Sequence, residues 1–324
     1  MSLNWQAFLQ SRPLTNLPKI NAEAILTPLP PTAVVRVKGE DAPTFLQGQV
    51  TCDVRQLKPY SFSPGAFCNP QGRVIANFWL ARDELGFKLL LAADLAEKVI
   101  LRLKAYVLRS KVEIAVEEAV LFGVTAADPK ALQNVLPKPP AYGEVIQAHG
   151  LFWLKMPSPT ERFLVLGDLA AAQEMWTQLT LEASECFADY WQLQEIRAGL
   201  PTVTAATSES FLPQMLNLDR IGGISFAKGC YTGQEIIART HYRGQVKRRL
   251  YRFGLSHPKP LAPGTSLVVG EEPVGQVVNA APCDLGQELL AVVRCDLSTV
   301  ELQAKGYHLP LRWLELDYTC YQAP

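Results

Sequence analysis

The sequence has no C-x-x-C pair and only four histidines, His149, His241, His257 and His308, so no ready-made zinc or iron–sulfur site is written into it and no metal is expected. It also lacks a Walker P-loop, a G-x-G-x-x-G loop after a strand, an H-E-x-x-H pair and a G-x-S-x-G elbow. These absences set aside nucleotide-driven, dinucleotide-linked, zinc-protease and α/β-hydrolase chemistry. The longest apolar runs, such as 74–81, are broken by polar residues well short of the roughly 20 that cross a bilayer, so no membrane partner is expected. Net charge is missing as well. Thirty-one basic residues balance thirty-one acidic ones, so an anionic partner must be drawn by a local patch. Seven cysteines at irregular intervals speak against a disulfide framework and for a reducing compartment. The opening Met1-Ser2-Leu3-Asn4-Trp5-Gln6 has neither a basic n-region nor a signal core, and the expected location is the cytoplasm.

What is present is a globular composition of 324 residues, 48% of them hydrophobic, enough for two or three domains. Residues 33–37 read as a strand, and Asp41 stands where it would cap a short helix to Gln47. A hairpin follows at 61–68 and 73–81 around the turn Asn69-Pro70-Gln71-Gly72, then a strand at 87–91. Asp94 would cap a helix whose Leu95, Val99, Leu103 and Val107 form an apolar stripe, and 111–117 alternates with Val112, Ile114 and Val116 on one face. Residues 162–167 read as a strand, and 168–179 and 189–198 as helices, the second closed by Gly199 and Pro201. After Gly244 short β-type runs at 250–254, 266–269, 274–279 and 289–294 alternate with Pro/Gly turns, which predicts a small barrel. The pattern is α+β with antiparallel pairs, ending in a β-barrel.

The stretch Lys228-Gly229-Cys230-Tyr231-Thr232-Gly233-Gln234-Glu235 carries most of the chemical information. Thr232 and Glu235 match an S/T-x-x-E capping box ahead of Ile236, Ile237 and Ala238, which predicts a helix start with Cys230 two residues before the cap. The helix dipole and Lys228 would there favour thiolate over thiol. A buried structural cysteine fits the local pattern equally well.

This octapeptide resembles the signature of the YgfZ family, folate-binding relatives of the glycine-cleavage T-protein that support iron–sulfur proteins and tRNA modification. Further blocks are similar to the family's: Gly39-Glu40-Asp41-Ala42, Phe45 to Asp53, Asn69 to Arg73, Phe211 to Leu218, Gly222 to Phe226, Arg243-Gly244 and Lys247-Arg248. The resemblance implies a T-protein-like ring of three domains, two α+β units with antiparallel sheets and a C-terminal β-barrel. The first unit is expected at 1–48 and 119–244, interleaved with a second at 49–118, and the barrel at 245–324. It implies tetrahydrofolate, or a formyl derivative, bound near the central opening. It also implies a role in assembling or repairing iron–sulfur clusters of client enzymes, including tRNA-modifying ones, with Cys230 and Lys228 as the working residues.

The rival reading is a folate-dependent aminomethyltransferase. T-proteins carry paired aspartates shortly after a strand-opening glycine; here Ala76 and Asn77 stand in their place, and neither is a base. Asn77 could still bond a pterin nitrogen, or be an ordinary strand residue. Arg197 is a candidate for the glutamyl carboxylates and Tyr231 for the pterin or benzoyl face, with Arg109, Gln234 and Glu235 as further candidate contacts. Between 236 and 256 lie Arg239, Arg243, Lys247, Arg248, Arg249 and Arg252 with no acidic residue. This patch would attract a folate tail or a tRNA backbone, although alternation with Leu250, Tyr251 and Phe253 also fits the wet face of a strand.

Overall fold

The computed structural model describes residues 3–318 apart from 20–21, 159, 181–182, 298–299 and 308. A five-stranded antiparallel sheet runs in the order Ser61–Cys68, Val74–Asp83, Gly86–Ala92, Thr32–Lys38, Glu113–Glu117. Its strands are rich in β-branched and large apolar residues; Val34 and Val35 lie opposite Leu90 and Leu89, and all four are buried. Val116 departs from the expected face: it is 59% exposed while Ile114 is buried, because the strand lies at the sheet edge. Helix Ala96–Lys104 tucks Val99 and Leu103 under this sheet. Its predicted cap, Asp94, instead accepts from Ala205 N at 2.8 Å, and Asp41 accepts from Lys111 N at 2.8 Å rather than capping Ala42–Gln47.

The second sheet has six strands in the order Ala183–Glu185, Ala24–Pro28, Val120–Ala126, Glu161–Gly167, Leu151–Lys155, Val145–Ala148. Only the first pair is parallel. Trp5, Phe122 and Trp176 meet beneath it with ring centroids 5.6–6.2 Å apart. Helix Leu169–Leu179 begins where the sequence predicts, with the Asp168 carboxylate accepting from Ala171 N at 2.8 Å. The junction expected at residue 48 cuts through a sheet: Thr32–Lys38 hydrogen-bonds to strands at 86–92 and 113–117. The chain leaves the six-stranded sheet after Pro28 and re-enters at Val120, Pro28 and Phe122 being register partners.

From Arg248 a closed barrel forms, in the order Arg248–Leu255, Gly286–Arg294, Glu272–Cys283, Ser266–Val269, Leu302–Ala304, Pro310–Leu314. Phe253, Leu267, Val277 and Leu289 fill it. Helix Ala188–Arg197 joins the barrel to the sheets. The segment after it is held from two sides. Asn77, on the five-stranded sheet, donates to Pro201 O at 2.7 Å and accepts from Val203 N at 2.8 Å. Asn279, on the barrel, accepts from Thr202 N at 2.8 Å and donates to Thr202 O at 3.0 Å.

Candidate functional site

Blocks far apart in sequence converge on the octapeptide. Lys228 is buried, and its Nζ donates to Val50 O at 2.7 Å and Cys52 O at 2.8 Å while lying 5.0 Å from the Tyr231 ring centroid. Thr51 Oγ1 donates to Gly223 O at 2.6 Å and accepts from Ala66 N, tying the same 50–52 stretch to the backbone at Gly223. The ammonium is therefore turned inward and pins the loop; the expected partnership with the Cys230 thiol does not form. Burial pulls Lys228 down to about 8, against the opposing pull of Cys52 and Asp53.

Since Lys228 ordinarily titrates near 10.5, the unfolded chain holds a proton that the folded chain releases between about pH 8 and 10.5. Folding is penalised below that window and relieved as pH rises through it. In a Lys228→Met variant the titration is gone. Urea unfolding of the two proteins should show the parent gaining up to about 3 kcal/mol on the variant from pH 7 to 10.5. A difference that stays flat over this range would refute the assignment.

The helix begins later than its sequence signature suggests. It spans Gln234–Tyr242, and Gly233, with φ +82°, is the residue at its N-cap; Thr232 makes no side-chain cap. A local contact decides this. The Cβ of any other residue at 233 would meet Asn69 O at 2.5 Å and Gly72 Cα at 2.9 Å, so the turn 69–72 presses against the loop and imposes the left-handed backbone. Cys230 is thus three residues ahead of the N-cap and exposed, on a loop where Gly229 has open space around it. Glu235 is exposed and Gln234 half-buried at the start of the helix. Tyr231 is buried, and burial beside Cys68 and Cys52 pushes its phenol up; it is a core residue rather than an open platform.

A separate narrow cleft, of about 70 Å³, opens between the two sheets. Asn77, Phe78 and Trp79 line one side, and Trp191, Glu195 and Leu164 the other. Asn77 reaches it, but both ends of its amide already bind 201–203. Ala76 is fully buried. Sequence reasoning missed Glu195. Its surface faces the cleft rather than bulk water, so burial raises its carboxyl, with the Arg162 charge and a hydrogen bond from Trp191 pulling the other way. Arg162 is itself fully buried, 4.6 Å from the Trp191 ring centroid. The available signal was the i, i+4 spacing of Trp191 and Glu195 on one helix face.

Arg197, two residues on, points elsewhere. It donates to Glu288 Oε1 at 2.9 Å, while Arg252 holds the other Glu288 oxygen at 2.6 Å, so it fastens the barrel instead of lining the cleft. Arg249 grips Asp219 with two bonds of 2.7 and 2.9 Å. Two of the six cations in the basic stretch are therefore neutralised; Arg239, Arg243, Lys247 and Arg248 are exposed. Arg109 is also exposed, beside a surface groove over Phe45, Gly48 and Gln49. No group of three or more His, Cys, Asp or Glu suited to a metal occurs among the described residues, and no helix there is long and apolar enough to cross a membrane.

No family model matches the chain. It is 36% identical over 299 residues to a tRNA-modifying protein YgfZ of Enterobacter sp. (strain 638), covering 86% of this chain and 91% of that one. The counterpart of the same name from Escherichia fergusonii is 34% identical over the same shares. In fold it is similar to the glycine cleavage system aminomethyltransferase T of Bartonella henselae, with a TM-score of 0.67 and 16% identity over 98% of this chain and 90% of that one. With a third of its residues shared along nearly the full length of such relatives, the chain belongs to the YgfZ family.

Proposed function

We propose that this protein is a folate-binding accessory factor that supports the assembly or repair of iron–sulfur clusters in client enzymes, tRNA-modifying ones among them. The observation that carries the reading is the separation of two sites. Cys230 is exposed on a loop pinned by Lys228, whereas the cleft between the sheets has apolar walls and one carboxyl, Glu195. Apolar walls with a single carboxyl suit the edge of a flat heterocycle whose N–H groups face Glu195. Tetrahydrofolate or a formyl derivative has that chemistry. Aminomethyl transfer is disfavoured because Ala76 and Asn77 bring no carboxylate to the strand wall. In a cytoplasmic setting the exposed thiol would meet cluster-bearing clients directly.

Calorimetry with tetrahydrofolate should show binding, and Glu195→Gln should weaken it roughly ten-fold, the effect of one hydrogen bond to a charged group. No heat with any reduced folate would remove the folate half of the reading. Transfer of a one-carbon unit from a lipoyl-bound aminomethyl donor at an enzymatic rate would favour the transferase instead. The accessory role is tested in cells lacking the protein, where iron–sulfur enzyme activities should fall and return on its re-expression.

A further inference from the structure

The C-terminal end of helix Gln234–Tyr242 carries an aromatic stack that the sequence did not announce. Phe226 packs against the core, and the His241 ring lies on it with centroids 3.7 Å apart and planes inclined by 14°. Tyr242 stands edge-on to both, at 4.7 Å from His241 and 6.2 Å from Phe226, and is 67% exposed. The stack grows outward from the core and ends in water. Such an ending is open to one more flat ring.

Around it stand Arg239, Arg243, Lys247 and Arg248, all exposed, and none has an ion-pair partner among the described residues. No acidic residue lies between 236 and 256, and on the adjoining barrel edge Glu272 and Asp296 are both held by Arg294. Lys247 is fixed to the barrel through its carbonyl, which accepts from Cys295 N at 2.9 Å. The cations thus divide between the helix that bears the rings and the start of the barrel. Exposed rings and phosphate-seeking cations on one surface match the two parts of an unpaired nucleic acid strand, bases and backbone. An acidic protein segment would use the cations and leave the rings idle.

We infer that this surface binds an unpaired stretch of RNA, a base stacking against His241 and Tyr242 while the four cations follow the backbone. RNA rather than DNA is chosen on the reading that clients include tRNA-modifying enzymes; the placement of the surface does not depend on it.

Fluorescence anisotropy with the full-length protein tests this, using an RNA hairpin with a single-stranded loop, a blunt RNA duplex of equal charge, a DNA hairpin of the same sequence, and heparin. The hairpin RNA should bind tightest, with log K falling against log salt with a slope of about −3, near 0.7 for each of four cations. Tyr242→Ala should weaken hairpin binding roughly ten-fold and duplex binding hardly at all, and Tyr242→Phe should restore it. Arg243→Ala should weaken every polyanion and flatten the slope by about 0.7. Equal binding of hairpin, duplex and heparin, unmoved by Tyr242→Ala, would show a general polyanion or acidic-protein surface and overturn the inference, as would tighter binding of the DNA hairpin or no binding at all. The assay needs neither folate nor client. Absent RNA binding leaves the folate reading standing, and absent folate binding leaves this one standing.

Discussion

Cys230→Ser is expected to abolish the protein's support of iron–sulfur enzymes while leaving its fold and its folate affinity unchanged. Serine preserves the shape and removes the soft, ionisable sulfur. The other described cysteines cannot substitute for it. Cys52, Cys68 and Cys186 are buried, and Cys283 and Cys295 half-buried. Burial pushes the Cys52 thiol up to about 12 and raises Cys68 and Cys186 as well, so these remain protonated and shielded at neutral pH. Cys320 lies outside the described residues. Alkylation followed by mass spectrometry should therefore label Cys230 ahead of the five others described. In cells lacking the protein, the serine variant should restore iron–sulfur enzyme activities at least ten-fold less well than the parent. An unreactive Cys230 together with full rescue by the variant would end the proposal.

A second large effect is expected from a methyl group at Gly233, and almost none from one at Gly229. Gly233→Ala must hold a left-handed backbone and drive its Cβ against Asn69 O and Gly72, both main-chain groups that cannot swing aside. The strain of that conformation and the overpacking together should cost about 2–4 kcal/mol. Gly229→Ala meets nothing within 4 Å. It should stay within about 0.5 kcal/mol of the parent, as surface changes usually do. Urea unfolding of the two variants distinguishes them, and comparable stabilities would mean that the turn at 69–72 does not set the course of the loop.

The elements that the sequence foretold are those decided within a few residues. The hairpin strand ends at Cys68, as the Asn69-Pro70-Gln71-Gly72 turn signals, and the barrel strand Ser266–Val269 lies between its flanking turns as read. The helix read at 168–179 is found at Leu169–Leu179, its start fixed by an Asp168 carboxylate whose partner amide is three residues away. The misreadings share the opposite property. Thr232 matches a capping pattern, yet the helix start is dictated by a turn about 160 positions upstream. The direction of Lys228 depends on the carbonyls of Val50 and Cys52, and the neutralisation of Arg249 and Arg252 on Asp219 and Glu288. Thr32–Lys38 is legible as a strand, but which sheet takes it is not, because register with 86–92 and 113–117 is a property of the folded chain. The family blocks made Cys230 a candidate; the cleft and its Glu195 needed side chains from separate stretches to meet.

The asparagine bracket on 201–203 has a mechanical consequence. Pro201 and Thr202 form part of the cleft wall; Asn77 bonds Pro201 and Val203 to the five-stranded sheet, and Asn279 bonds Thr202 between them to the barrel. A displacement that widens the cleft at this wall must stretch bonds toward one body or the other. Occupancy of the cleft and the seating of the barrel therefore share one joint.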